Sequence, residues 1–511
     1  MEGELRDACG LFGLVTNEKG RIRLVPGSIV AAGLEQLQHR GTESTGIVGS
    51  NEASSDHFHI HKDSGLVREV FNDTNLALFN DSRVVMGHNR YSTAGLKGAI
   101  NCIQPFVVFT ARYTIAVAHN GQLANKEELR REVLQSGVGL STDTDSELLA
   151  QLLAAHLAPA AKHSPPKRSA VRVRASTENS DDERLSELGQ VMKELMESGR
   201  LSLSYSLLLM DKQRLIAVRD PFGNRPLAIG AIRDQYGELL GYVASSETCA
   251  FRAVGAELVR EVRRGEVVEL SPDTDRIVSA TAAVTSSLPS ALCIFEYVYF
   301  ARPASLIHGS EVNAVRQRCG RRLGVESAVA ADLVSNVPDS ASPAAIGFAE
   351  QVKLPYAPVL NKNAYVGRTF IQPTKQLRQS AVLRKFSPIA EVIRGKRIVL
   401  VDDSIVRGNT MRPLVKLLRS SGALEVHVRV ASPPIRSPCF YGINIPAPEE
   451  LIANRLRLED ICQEIGADSL AYLSLEGLKE AVSEDRNLCC TGCLDQKYPG
   501  PTRDIEELIP Y

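Results

Sequence analysis

One segment sets the architecture of this chain: Arg397-Ile-Val-Leu-Val-Asp402-Asp403-Ser404-Ile-Val-Arg407-Gly408-Asn409-Thr410. Ile398 to Val401 is a continuous apolar run, which is typical of a strand buried on both faces of a parallel sheet. Two carboxylates follow it, at the end of the strand where open α/β sheets bind their ligands. From Met411 onward apolar residues recur at helical spacing, and the backbone N–H groups at such a helix start favour a phosphate. The segment therefore predicts a strand, loop and helix that bind a sugar phosphate, with the acids available for its hydroxyls or a hydrated Mg²⁺.

The same segment resembles the phosphoribosyl-pyrophosphate (PRPP) binding loop of type I phosphoribosyltransferases. The resemblance implies that Asp402 and Asp403 hold the ribose diol and Mg²⁺, with Ser340 as a further metal ligand after a second strand. It implies that Lys362 and Tyr365 bind PRPP from a mobile flap that excludes water from the reactive centre. The residues implied to cradle the 5-phosphate are Ser404, Arg407, Gly408, Asn409 and Thr410. On the residues alone, an ordinary strand end with a solvated acidic turn remains the alternative.

Composition bounds the class of protein. The chain has 511 residues, so two or three domains are expected. The net charge of −1 argues against a nucleic-acid surface, and no apolar run approaches the length of a membrane span. The short acidic N-terminus fits neither a secretory signal nor a transit peptide, so we expect a cytoplasmic protein. Ten cysteines in such a chain indicate thiols, metal ligands or nucleophiles rather than disulfides.

The N-terminal half carries a set of polar and glycine-rich motifs in a fixed order. They are Cys9-Gly-Leu-Phe-Gly13, Gln38-His-Arg-Gly41, Glu43-Ser-Thr-Gly46, His88-Asn-Arg-Tyr-Ser-Thr93, Ala118-His-Asn-Gly121, Thr144-Asp-Ser-Glu147 and Arg219-Asp-Pro-Phe-Gly-Asn-Arg-Pro226. Through about residue 255 the set resembles the glutaminase domain of class II amidotransferases, which are N-terminal-nucleophile (Ntn) hydrolases. The resemblance implies an αββα sandwich followed by the parallel α/β domain of a type I phosphoribosyltransferase.

The chemistry of an Ntn hydrolase explains these residue types. The nucleophile must begin the chain because its free α-amine, with a pKa of roughly 7.7–8.0, serves as the general base. Cys9 stands behind eight residues, so we expect a propeptide that is cut between Ala8 and Cys9. By resemblance, Asn120 and the Gly121 N–H form the oxyanion hole. Arg90 is expected to pair with the α-carboxylate of glutamine and Asp145 with its α-ammonium.

The pairing of these two domains resembles one family, the amidophosphoribosyltransferases. This implies that glutamine is hydrolysed at Cys9 and that ammonia passes through a channel to PRPP, the first committed step of purine synthesis. It also implies a homotetramer with feedback inhibition by AMP- or GMP-type nucleotides. The expected divisions are a propeptide at 1–8, a glutaminase domain at 9–260 with a flexible insertion at 158–183, a phosphoribosyltransferase domain at 285–475 and a tail with metal ligands at 476–511.

Four cysteines match the iron–sulfur branch of that family. Cys490 and Cys493 form a C-x-x-C near the C-terminus, while Cys293 and Cys439 stand alone. The resemblance implies that these four hold a [4Fe–4S] cluster, with Cys489 as an alternative ligand. Spacing alone does not separate iron from zinc, because four thiolates suit either.

Several alternatives stay open at this point. Another class II amidotransferase would share only the front half of the chain. A PRPP-binding regulatory protein would need no glutaminase motifs, and a catalytically impaired paralogue would keep both halves. The positions that depart from the usual pattern of the family are Thr42, Ala304, Asn313 and Ala364. Ala364 is the most serious of them because it falls in the flap.

Overall fold

The computed structural model describes residues 9–50, 57–91, 100–110, 114–158, 184–271, 277–363, 384–443, 445 and 448–500. The chain divides into two compact units, Cys9–Leu288 and Pro289–Tyr511. Most of the expected insertion, the flap residues Ala364 and Tyr365, and the expected propeptide lie outside the described residues. Within those ranges we find no helix with the length and apolar character needed to cross a lipid bilayer.

The first unit is built on two antiparallel sheets. Its strands are β1 (Gly10–Thr16), β2 (Ser44–Gly49), β3 (His59–Ser64), β4 (Val84–Arg90), β5 (Phe106–Phe109), β6 (Thr114–Gly121), β7 (Tyr205–Met210), β8 (Leu215–Arg219), β9 (Ala228–Arg233), β10 (Leu239–Ser245), β11 (Ala256–Glu261), β12 (Glu266–Leu270) and β13 (Ile277–Thr281). Seven strands pair in the order β11-β9-β10-β1-β4-β2-β3, and six in the order β13-β12-β8-β7-β6-β5.

Helices cover the outer faces of both sheets. They are α1 (Glu18–Arg23), α2 (Pro26–Gln36), α3 (Val67–Val70), α4 (Asp73–Leu76), α5 (Lys126–Gln135), α6 (Asp145–Leu157), α7 (Glu187–Glu197) and α8 (Cys249–Ala253), with short 3₁₀ turns at Ala77–Phe79, Ile100–Cys102 and Ala283–Ser287. Alternation along each strand gives it two apolar faces. Leu11 of β1 and Leu208 of β7 meet in the core between the sheets. Leu207 of β7 faces α6 and α7, while Phe12 of β1 faces α2. The αββα sandwich is thus confirmed.

The first unit continues beyond residue 260, where we expected the glutaminase domain to end. Strands β12 and β13 extend the six-stranded sheet, with β12 pairing against β8. The short turn Ala283–Ser287 then packs against α7, and the unit ends at Leu288. Burial of Val267 and Val268 explains why these strands belong to the sandwich, since their side chains enter its two cores.

The second unit contains a parallel sheet and several short ladders. Its strands are β14 (Leu292–Cys293), β15 (Leu306–Ile307), β16 (Ser310–Glu311), β17 (Leu333–Asn336), β18 (Leu360–Lys362), β19 (Phe386–Pro388), β20 (Arg397–Asp402), β21 (Glu425–Val430), β22 (Ser469–Tyr472) and β23 (Cys489–Cys490). Its helices are α9 (Val312–Ser327), α10 (Ser342–Val352), α11 (Ala390–Ile393), α12 (Met411–Ser420), α13 (Ile452–Arg455), α14 (Leu458–Ile465), α15 (Leu475–Val482) and α16 (Gly492–Asp495), with a π-helix at Glu296–Phe300 and a 3₁₀ turn at Pro448–Glu450.

The parallel sheet confirms the architecture expected for the second half. Its strands run in the order β17-β20-β21-β22, and every pair is parallel. Val399 and Val401 of β20 pack towards α9 and α10, while Ile398 and Leu400 pack towards α12 and α14. Burial on both faces is the reason that this strand is apolar throughout. The strand expected at Ile398–Val401 and the helix expected from Met411 are both confirmed.

Candidate active sites

Cys9 precedes the first strand of the sandwich. Its carbonyl oxygen accepts a hydrogen bond from Arg40 Nε at 3.1 Å, and its Sγ lies 3.9 Å from the carbonyl oxygen of Tyr91. Strand β1 pairs with β4 so that Gly10 lies opposite Asn89. The thiol therefore lies beside the C-terminal end of β4, where Arg90 is found.

Arg90 is buried at the end of β4. Its Nη1 lies 3.5 Å from Oε1 of Glu43, so the guanidinium has a carboxylate nearby. Two residues earlier on this strand, His88 Nε2 lies 3.1 Å from the carbonyl oxygen of His119 on β6. Burial lowers the pKa of His88 to about 3, so at neutral pH the ring is uncharged and Nε2–H donates this bond. The contact joins the two sheets at the end of the sandwich that carries Cys9.

Asn120 and Gly121 end strand β6 at this same place. Within the described residues, Asn120 Nδ2 is buried and has no hydrogen-bond partner. Gly121 has a φ of +144°, and a Cβ there would lie 1.9 Å from the carbonyl oxygen of Ser204. Only glycine fits such a position. The buried Asn120 amide has no partner, and it lies next to a backbone conformation that only glycine allows. An anionic oxygen at this place would need such a hydrogen-bond donor.

Asp145 begins helix α6 and faces β6. Its Oδ2 accepts a hydrogen bond from the Leu123 N–H at 3.0 Å, and its Oδ1 lies 3.7 Å from Nδ1 of His119. Burial raises the pKa of Asp145, but the charge of His119, the hydrogen bonds and Lys126 outweigh burial and leave the pKa below its ordinary value. Asp145 is therefore a carboxylate at neutral pH and is suited to an ammonium group.

Two supports of this site were not recognised from the sequence. Glu247, which follows β10, is fully buried and binds Arg40 at 2.6 Å. Asp220 accepts hydrogen bonds from the N–H groups of Phe222 (2.9 Å) and Asn224 (3.0 Å), and Asn224 Oδ1 accepts one from Ser204 Oγ at 2.7 Å. Through Asn224, the Arg219–Pro226 motif thereby holds Ser204, whose carbonyl oxygen packs against Gly121. The sequence gives no signal for the Arg40–Glu247 pair, which is separated by 207 positions, or for the bond from Ser204 to Asn224, which spans 20.

The two acids of β20 lie at the carboxyl end of the parallel sheet. Asp402 and Asp403 are largely buried, and the Asp403 N–H donates to Asp402 Oδ1 at 3.0 Å. Ser404 Oγ donates to Asp403 Oδ1 at 2.8 Å, and Ser340 Oγ donates to Asp403 Oδ2. The structure thus brings Ser340, after β17, to the acids after β20. Carboxylate and hydroxyl oxygens are suitable ligands for Mg²⁺, which binds few protein groups and keeps waters or substrate oxygens.

The loop from Ser404 to Thr410 leads into α12 and is held from behind. Gly408 has a φ of +75°, and a Cβ there would lie 2.7 Å from the side chain of Ile452. The Ile452 N–H donates to the carbonyl oxygen of Val406 at 2.9 Å. Arg407 Nε donates to Glu450 Oε2 at 2.9 Å. The loop is therefore shaped by the turn and short helix at 448–455, a contribution that the sequence did not reveal.

Lys362 ends strand β18 and its Nζ donates to Asp339 Oδ2. Asp339 immediately precedes Ser340, so the ammonium group stands beside the same sheet edge as the acids. Tyr365, its expected companion, lies outside the described residues. Asn409 and Thr410 lie in the turn just before α12, as the sequence predicts.

The four candidate cysteine ligands converge in the second unit. Cys293 lies opposite Cys490 in the parallel ladder of β14 and β23. The carbonyl oxygen of Cys493 accepts a hydrogen bond from the Arg436 N–H at 3.0 Å, which draws in the segment that carries Cys439. Burial raises the pKa of the Cys493 thiol, and repulsion from the three other thiols adds to this effect.

The thiols of this cysteine group would lose their protons at neutral pH only if a metal cation bound to them. The pKa of Cys490 is likewise raised, by burial first and then by Cys293, so without a metal these thiols would be neutral at pH 7. Thiolate ligation by metal would reverse that balance. Among the described residues, however, no three cysteine, histidine or acidic side chains lie close enough together to hold a single metal ion. The three other thiols are nevertheless near enough for each to influence the pKa of Cys493.

Comparison with known proteins gives matches to both halves and to the whole. A glutamine amidotransferase domain model matches residues 72–158, and a phosphoribosyl transferase domain model matches residues 332–432. The amidophosphoribosyltransferase of Rattus norvegicus is 46% identical over 95% of this chain and 90% of its own length. The solved glutamine PRPP amidotransferase from B. subtilis, complexed with ADP and GMP, has a TM-score of 0.80 and 38% identity over 96% of this chain and 97% of its own. A structure described as the allosteric regulatory enzyme of purine biosynthesis gives a TM-score of 0.81 at 39% identity, covering 96% of each chain.

Proposed function

The chain belongs to the amidophosphoribosyltransferase family, and from this premise we propose that it transfers the amide nitrogen of glutamine to PRPP. The products are 5-phosphoribosylamine, glutamate and pyrophosphate, and the reaction is the first committed step of purine synthesis. The observation that carries the proposal is the presence of two groups of candidate site residues in one chain. One surrounds Cys9 in the sandwich, and the other lies at the carboxyl end of the parallel sheet, beside Asp402 and Asp403.

Glutamine hydrolysis follows from the first set. The α-amine of a trimmed Cys9 takes the thiol proton, and Sγ attacks the side-chain amide carbon of glutamine. The developing oxyanion accepts hydrogen bonds from Asn120 Nδ2 and the Gly121 N–H. The proton returns to the departing ammonia, and water then hydrolyses the thioester to glutamate. Arg90 binds the α-carboxylate and Asp145 the α-ammonium of the substrate.

Transfer to the sugar follows from the second set. Asp402 and Asp403 hold the ribose hydroxyls, and the loop from Ser404 to Thr410 holds the 5-phosphate with its backbone N–H groups and side chains. Lys362 and Tyr365 bind the pyrophosphate end. Ammonia then attacks C1 and pyrophosphate leaves. Mg²⁺, when bound, would neutralise charge on the pyrophosphate, and Asp402, Asp403 and Ser340 would hold it.

One assay tests the reaction. Purified protein is given glutamine, PRPP and Mg²⁺, and pyrophosphate release is measured, with Cys9→Ala as the control. The wild type is expected to release pyrophosphate with either glutamine or ammonia as nitrogen source, whereas Cys9→Ala uses only ammonia. Absence of PRPP-dependent turnover with both nitrogen sources would reject the proposal and favour an impaired or regulatory paralogue.

We also propose that Met1–Ala8 are removed as a propeptide. The support is chemical, since the α-amine of Cys9 is unavailable as a base while Ala8 is attached. Intact mass and N-terminal sequencing of the active protein should find Cys9 as the first residue. Active enzyme that retains Met1 or Glu2 would contradict this.

The cofactor proposal is a [4Fe–4S] cluster held by Cys293, Cys439, Cys490 and Cys493. The converging thiols support a metal group, and the match of these four positions to the iron–sulfur branch of the family supports a cluster. Regulation by purine nucleotides is supported by the ADP and GMP bound to the B. subtilis relative. A homotetramer, a cytoplasmic location and the boundary between the phosphoribosyltransferase domain and the tail remain predictions from the resemblance and the sequence.

A further inference from the structure

A buried carboxylate lies behind the proposed nucleophile. Glu247 follows strand β10, and no part of its side chain is exposed. Its Oε1 accepts a hydrogen bond from Arg40 Nη1 at 2.6 Å and lies 2.7 Å from His39 Nε2. Its Oε2 lies 3.7 Å from Cys249 Sγ. A buried ion pair of this kind adds little net stability, so its presence calls for another reason.

Arg40 connects this carboxylate to Cys9. Its side chain is also fully buried, and it uses Nη1 for Glu247 and Nε for the Cys9 carbonyl oxygen at 3.1 Å. The second residue after the nucleophile, Leu11, is also held by the segment that carries Glu247. The Leu11 N–H donates to Ser246 Oγ at 3.0 Å, and the Ser246 N–H donates to the carbonyl oxygen of Leu11 at 3.0 Å.

A terminal nucleophile has a particular need for such a hold. Once the chain begins at Cys9, the residue is tied to the protein by one peptide bond only. The position of that peptide group then sets where the Cys9 Cα lies, and with it the α-amine and the thiol. The hydrogen bond from Arg40 restrains that peptide group, and Glu247 prevents the guanidinium from turning away.

We propose that Glu247 is a positioning residue for glutamine hydrolysis: through Arg40 it fixes the carbonyl of Cys9, and thereby the thiol and α-amine relative to Asn120 and Gly121. The inference rests on the proposed function and deepens it. Glu247 itself touches neither substrate nor reacting atoms. Its loss should lower the rate of the chemical step and leave glutamine binding by Arg90 and Asp145 largely unchanged.

The test is Glu247→Gln, which keeps the size of the side chain and removes its charge. Glutaminase kcat should fall about 10²-fold, the scale expected for a misplacement of roughly 1 Å, while KM for glutamine stays close to that of the wild type. Alkylation of Cys9 by iodoacetamide should slow as well. Ammonia-dependent pyrophosphate release from PRPP should be unchanged, and intact mass should verify that each sample begins at Cys9.

Glu266→Gln is the matched control. Glu266 is also buried in the sandwich and binds an arginine, Arg260, through two hydrogen bonds at 2.8 and 2.9 Å. The Glu266→Gln variant should lose thermal stability, as Glu247→Gln does, but it should keep glutaminase activity. If the two variants lose glutaminase kcat equally, the positioning role is rejected, and a large rise in KM with unchanged kcat also rejects it.

Arg40→Lys keeps the test decisive if Glu247→Gln fails to fold. Lysine retains the charge beside Glu247 but lacks the planar fork that reaches the Cys9 carbonyl at the same time. It should reproduce the fall in kcat, and wild-type glutaminase activity in Arg40→Lys would overturn the inference. Absence of glutaminase activity in the wild type is a different outcome, since it would reject the proposed function itself.

Discussion

Asn120→Leu should strongly lower glutaminase activity without destabilising the protein. Asn120 Nδ2 is buried at the end of β6 and has no hydrogen-bond partner among the described residues. We therefore expect the amide to donate to an oxygen that is present only during the reaction. Leucine has a similar shape and no polar atoms, so the substitution separates the catalytic use of this side chain from its structural cost.

Two opposing effects on the free energy of unfolding are expected for Asn120→Leu. A buried polar group without a partner costs about 1–3 kcal/mol, whereas loss of any bond made by the amide oxygen costs about 1 kcal/mol. The free energy of unfolding of the first unit should therefore be unchanged or up to about 2 kcal/mol higher, with a rise in Tm of roughly 2 °C per kcal/mol. Loss of one oxyanion donor should lower glutaminase kcat by about 10²–10³-fold.

Asn125→Leu is the comparison variant. The Asn125 amide is satisfied, because Nδ2 donates to the Arg200 carbonyl at 2.9 Å and Oδ1 accepts from Ser202 Oγ at 2.8 Å. Calorimetry should show Asn125→Leu to be less stable than the wild type, with glutaminase activity retained. A clearly destabilised Asn120→Leu, or one that keeps glutaminase activity within about tenfold of the wild type, would refute the assignment.

The remaining predictions concern the other proposed groups. Asp145→Asn should raise KM for glutamine about 10- to 100-fold by removing a charged partner. Since the pKa of Asp145 lies below its ordinary 3.8, its ionised form contributes stability above that pH, which is lost only as the pH falls further, and wild-type KM should not change through this group between about pH 5 and pH 8. Cys493→Ser should lose the visible absorption and iron of the purified protein, and zinc in place of iron in the wild type would contradict the cluster. Asn454→Asp should raise KM for PRPP about fivefold with glutaminase activity intact, whereas Gln463→Glu on the neighbouring helix should change neither.

The sequence predicted those parts of the molecule whose signals are local. The apolar run before Asp402 and the helical spacing from Met411 each lie within one element, and both elements are present. The resemblance carried the order of motifs in the first half, and the sandwich agrees with it. Asn120 and Gly121 were proposed as the oxyanion hole in this way, although only the structure shows an amide donor with no partner among the described residues.

The groups that the sequence missed depend on contacts between distant parts of the chain. Glu247 acts on Arg40 from more than two hundred positions away, and nothing in its own neighbourhood signals a buried ion pair. Asp220 belongs to a motif that indicated the family, but the sequence did not show what Asp220 contacts. The limit of the first domain was placed at 260, short of the strands β12 and β13, because the pairing of β12 with β8 and of β13 with β12 is set by tertiary packing.

The Asn454 prediction follows from a path of hydrogen bonds between the cysteine group and the phosphate loop. The Arg436 N–H donates to the Cys493 carbonyl at 3.0 Å, and the Arg436 carbonyl accepts from Asn454 Nδ2 at 2.9 Å. Asn454 lies in α13, and the first residue of that helix, Ile452, donates its N–H to Val406 in the loop at 2.9 Å. Each bond contributes about 1 kcal/mol, so the path can change PRPP affinity by a factor of about five but not by orders of magnitude. Loss of the proposed metal group should therefore raise KM for PRPP by no more than Asn454→Asp does, and the two changes combined should add nothing further if this path carries the effect.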